Sequence, residues 1–147
     1  MADMDKDFKR MKRQLGKLIQ TDLPRHGMEQ AEEIVQDSFD KEQYQGQANS
    51  RKWKGRDKED DSLREERRGL LVQSGRLRAS VEAEQQGSNI VLTAGYKVGK
   101  WNLAEIHNEG LKPQPPRQFM PKPGEDFPEW DDRMEKYLDD KLDRIFK

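Results

Sequence analysis

Between Arg78 and Gly99 the chain reads RASVEAEQQGSNIVLTAGYKVG. Its side chains alternate, Val, Ile and Thr recur, and Gln86-Gly87-Ser88-Asn89 punctuates the run. Alternation at period two is what a pleated strand needs to present one face, and short Gly-containing punctuation is what a tight turn needs. The stretch predicts two antiparallel strands joined by a hairpin.

The other regular patterns have helical spacing. Met4, Phe8, Met11, Leu15, Leu18 and Ile19 recur every three or four residues and make one stripe along a helix. Asp3, Asp5 and Asp7 favour its N-terminal, positive end. Two heptads are too few for a coiled coil, so the stripe packs either on the body of its own domain or on a neighbouring copy. In QTDLPRHG, Asp22 is a candidate cap and Pro24 a candidate first-turn residue. A second stripe follows at Met28, Ala31, Ile34, Val35, Ser38 and Phe39, which predicts a helical pair. A third, Trp130, Met134, Tyr137, Leu138, Leu142, Ile145 and Phe146, predicts a closing helix from near Asp131. KWNLAEIHNEG puts Trp101, Ala104 and either Ile106 or His107 on neighbouring helical positions, with Asn102 as cap and Gly110 as a left-handed stop. Pro113, Pro115 and Pro116 then impose an extended path. From QYQGQANSRKWKGRDKEDD periodicity is lost, with Trp53 the only large apolar group between Gly46 and Gly55, and a long mobile loop is expected. Ser62-Leu-Arg-Glu65 matches a capping box.

The apolar supply limits what these elements can bury. Leu, Ile, Val and Phe number 27 of 147 residues, against 39% charged. Net charge is nonetheless only −1, so self-repulsion does not oppose compaction. A small fold helped by its neighbours satisfies both facts. Without cysteine there is neither a disulfide framework nor a thiolate site. No apolar run has the form of a signal peptide or the length of a membrane span, so synthesis in a cytoplasm is expected.

Catalytic patterns fail on spacing. His107 has no histidine partner at 103 or 111, and His26 lies in another segment. Glu105 and Glu109 share a helix face, a commonplace of exposed helices. AGYKVGK lacks the spacing of a phosphate loop. No enzyme, cofactor, metal or small-molecule substrate is expected. His107 is expected as a half-buried helix residue donating to a backbone carbonyl. On the extended arm Phe119 fills the core, and Arg117 either pairs with an acid or is presented to a neighbouring subunit.

Three stretches taken in order resemble a known family. LLVQSGRLRASV carries Ser74, Gly75, Arg76, Leu77, Arg78 and Ser80; AEIHNEG carries Ile106, His107 and Gly110; PPRQFM carries Pro115, Pro116, Arg117 and Phe119. This order resembles the phage virion morphogenesis family, the Mu-like tail-completion proteins, from about residue 39 onward. Gly46 and Trp53 loosely match that family's Gly-x-x-Trp loop. The resemblance implies an α+β fold, a small antiparallel sheet packed by N-terminal, central and C-terminal helices. It implies one domain over 1–147: a helical part over 1–45, a flexible loop over 46–61 and an α+β body over 62–147. The implied work is structural, completing the tail or joining tail to head as a subunit of a ring. Its partners would be copies of itself and tail or connector proteins, without membrane and with at most transient nucleic acid, first in the host cytoplasm and then in the virion. AEIHNEGLKPQPPRQFM is then scaffold. The alternative is a nucleic-acid-binding module using Arg51, Lys52, Trp53, Lys54 and Arg56 together with Arg76 and Arg78.

Overall fold

The computed structural model describes residues 2–54, 76–95, 97–98, 101–110 and 117–147. Helix α1 (Ala2–Lys17) runs through a π turn (Leu18–Asp22) directly into α2 (Leu23–Lys41). The expected break at QTDLPRHG is therefore absent. Asp22 keeps helical dihedrals and makes no capping bond; its carboxylate takes Arg25 at 3.1 Å instead. Pro24 explains the wide turn, because it has no N–H to give the carbonyl four residues back and its ring crowds that oxygen. The Leu23 N–H reaches back five residues to the Leu18 carbonyl, and the extra residue absorbs the misfit.

At its far end α2 stops on Glu42, which adopts a left-handed φ of 53°. Buried Ser38 organises the exit: its hydroxyl donates to the Ile34 carbonyl and accepts the Gln45 N–H, both at 2.9 Å. The chain then returns along itself, with Gln43 bridged to Lys52 and the Trp53 N–H donating to the Glu42 carbonyl at 2.7 Å. Tyr44, Gly46 and Trp53 are buried. The described part of the expected mobile loop, 46–54, is thus tied to the body through Trp53. Residues 55–61 and the Ser62–Glu65 capping box lie outside the described residues.

A short α3 (Arg76–Ala79) leads into β1 (Val81–Gln86) and β2 (Asn89–Ala94). They pair antiparallel from Val81↔Ala94 to Gln86↔Asn89, and Gly87 supplies φ 63° in the two-residue turn. The hairpin expected from the alternation is therefore present. Next come two-residue β3 (Lys97–Val98) and β4 (Trp101–Asn102), paired Val98↔Trp101. Trp101 is thus a strand residue, not the helical one expected. Helix α4 (Leu103–Glu109) begins only after Asn102, whose side chain accepts the Ala104 N–H, and ends at Gly110 with φ 72°. Helix α5 (Pro128–Phe146) starts one turn earlier than expected, with Pro128 in its first turn and the Glu129 N–H given to the Gly46 carbonyl at 2.9 Å.

A two-stranded hairpin is marginal in water unless its apolar face is covered. Here α2 packs on both strands and also against α5, giving an α+β architecture with α2 at its centre. Gly27 sets the closest approach of α5. A Cβ there would stand 3.2 Å from the Trp130 ring, and the Trp130 indole donates to the Gly27 carbonyl at 2.8 Å. His26 stacks on Tyr137 with ring centroids 3.8 Å apart. The Glu32 carboxylate accepts the Ala83 N–H at 2.9 Å, tying β1 to α2. The main core comprises Val35, Phe39, Trp53, Leu77, Val81, Ala104 and Phe119.

Candidate functional site

Phe39 on α2 is the hub of that core. Phe119 lies against it at 4.9 Å between centroids, and Trp53 meets it edge to face at 5.9 Å. Arg78, the third residue of α3, sets its guanidinium over the Phe39 ring at 6.0 Å. It also bonds the Gln36 amide and pairs with Asp40 at 2.6 Å. Leu77 enters the same cluster, and Ser80 turns back to the Leu77 carbonyl. The side chain of Arg76, and all of Ser74 and Gly75, lie outside what is described.

The extended arm arrives from the opposite direction. The Arg117 N–H donates to the His107 carbonyl at 2.8 Å, so the arm is tied to the last turn of α4. Asn108, 6% exposed, accepts both the Phe119 and the Met120 N–H, at 2.9 and 3.1 Å. Phe119 is fully buried, as expected, and Arg117 shares its inward side. Arg117 is 7% exposed and its Nε donates to the Lys54 carbonyl at 3.1 Å. Of the two roles expected for Arg117, pairing with an acid or presentation to a neighbouring subunit, the second does not fit this burial, since the side chain turns inward to a backbone carbonyl of the returning 43–54 segment. Gln118 takes the other side and bonds Glu125 at 2.6 Å. Pro115 and Pro116 lie outside the described residues.

His107 is half-buried, and its Nδ1 has no hydrogen-bond partner, so the expected donation to a carbonyl is not made through that nitrogen. Burial, and then the Arg117 charge, hold its pKa below the ordinary 6.5. Burial also lowers His26. Tyr44 is raised, by burial first and by the Glu125 charge second, and its hydroxyl is likewise without a partner.

Nucleic-acid contact by the basic loop loses its aromatic. Trp53 is 7% exposed and its indole N–H is spent on the Gln118 carbonyl at 2.9 Å, so no base can stack on it. Arg51, Lys52 and Lys54 are exposed, Arg56 lies outside the described residues, and Arg78 is engaged by Gln36 and Asp40. Among the described residues, no three His, Asp or Glu side chains are placed to share a metal ion, and no helix is long and apolar enough to cross a membrane.

Two surface features remain. A groove of about 800 Å³ opens between β2, α4, the 120–127 segment and the start of α5. Ile90, Leu92, Ala104, Met120, Phe127 and Trp130 give it apolar walls; Glu105, Glu109, Glu125, Asp126 and Asp131 stand around it with Lys122 the one base among its lining residues. The second is α1 itself. Its stripe is half covered at Met11 and Leu15, and the helix packs against α5, but Met4 and Phe8 are 71% and 68% exposed. The sequence had no local signal for the groove, because its walls come from four separate segments. For Asn108 there was a signal, an amide on the inner face of a helix that precedes an extended arm.

The chain matches no protein-family model, no curated protein and no solved structure.

Proposed function

We propose that the chain is a structural subunit of virion morphogenesis, completing a phage tail or joining it to the head within a ring, and acting by being bound rather than by catalysis. One observation carries the proposal: the three motif segments that resemble the virion morphogenesis family meet around one core. Leu77 and Phe119 belong to the same cluster, Arg78 caps its hub Phe39, and the His107 carbonyl holds the Arg117 N–H. Residues far apart in the chain thus serve one scaffold, which is what a shared motif set does when it encodes a fold rather than a catalytic site. The exposed Met4 and Phe8 add an apolar surface suited to a partner.

Deleting the gene from the phage or prophage that encodes the chain tests this. Infectious titre should collapse, with heads and tails accumulating separately or tails ending abnormally, and the chain should be found in purified wild-type virions. Normal virions assembled without it would remove the proposal.

A further inference from the structure

We infer that the apolar stripe of α1 from one copy docks in the apolar, acid-rimmed groove of a second copy. The two surfaces are complementary in kind. Helix α1 offers Met4 and Phe8, both largely exposed, on a helix carrying six Lys or Arg against three Asp. The groove offers apolar walls, with five carboxylates and one lysine among its lining residues. An amphipathic helix laid in such a groove buries its stripe while its long basic side chains reach the acidic rims.

The helix cannot easily satisfy its own groove. It continues through the π turn into α2, and it already packs against α5 of its own copy. Residues 4–10, within its first turns, carry only exposed side chains, a stretch of about 10 Å at 1.5 Å per residue. Because helix and groove are different surfaces, the contact is heterologous, and repeating it gives a ring if the rotation closes or an open chain if it does not. A contact this small is weak alone and gains strength only when several close together. The inference rests on the assembly reading for its ring, and on these two surfaces for its contact.

Sedimentation of the purified full chain over a wide concentration range tests it. Wild type should self-associate weakly, and more weakly as salt is raised. Phe8→Glu and, separately, Glu105→Lys with Glu109→Lys should each weaken association by about 10-fold or more. Met4→Glu serves as a second helix variant should Phe8→Glu not fold. The mixture decides: the helix variant keeps an intact groove and the groove variant an intact helix, so together they should form a one-to-one dimer and stop there. A wild type that stays monomeric throughout, a groove variant that associates like wild type, or a mixture that stays monomeric would each overturn the inference. A chain that associates this way yet is dispensable for virions defeats the assembly proposal alone. A monomeric chain still needed for virions defeats the contact alone.

Discussion

At Asn108 one side-chain oxygen holds the N–H groups of both Phe119 and Met120, and the arm is thereby placed so that Phe119 reaches Phe39. Removing the ring tests how much the core depends on it. Phe119→Ala should cost about 3–5 kcal/mol through lost burial and a residual cavity, seen as a lower urea midpoint with an unchanged slope. His107 sets a pH dependence. Its folded-state pKa lies below 6.5, so above that pH the ring is neutral in both states. As pH falls, the unfolded chain takes the proton first, and stability declines until the folded pKa is passed. Thermal melts between about pH 8 and pH 5 should show this decline, and His107→Gln should reduce its slope. Because His26 is also lowered, some decline should persist in that variant.

Among the elements, α4 is the one whose limits could be read letter by letter. Asn102 caps it and Gly110 stops it, both by bonds that close within a few residues. At φ 72° a β-branched side chain is strongly disfavoured, so Gly110→Val should destabilise by about 1 kcal/mol or more, while Gly110→Asn should be milder. Equal melting temperatures for all three would show that the stop is not needed. Other limits were not legible. The α1–α2 junction has the letters of a cap followed by Pro, yet the helix runs on, because a π turn can absorb a proline when packing on both sides favours continuity. Trp101 falls in a strand because Val98 pairs with it, a contact that helical spacing cannot register.

For the whole molecule, exposed charge and buried aromatics lead to different expectations. Arg51, Lys52 and Lys54 are exposed, but the loop's Trp53 lies in the core. Binding of single-stranded DNA by the isolated chain should therefore be weak, and changing all three basic residues to Glu should leave the melting temperature nearly unchanged. Tight binding that falls steeply with salt would instead favour a nucleic-acid module. The thin apolar supply is concentrated around α2, and the exposed Met4 and Phe8 in the first turns of α1 are apolar surface outside that core.

The sequence by itself determined whatever is decided within a few residues: the stripes of α1, α2 and α5, the hairpin and its Gly87 turn, and the cap and stop of α4. Those features depend on local dihedral preferences and on hydrogen bonds that close within one turn. Only the tertiary structure decided that Trp53 leaves a charged loop for the core, that Arg117 turns inward to the Lys54 carbonyl, and that Asn108 clamps the arm. Each needs a partner between 11 and 65 positions away. A buried donor or acceptor must find a partner, and its position is settled by which distant segment brings one within reach.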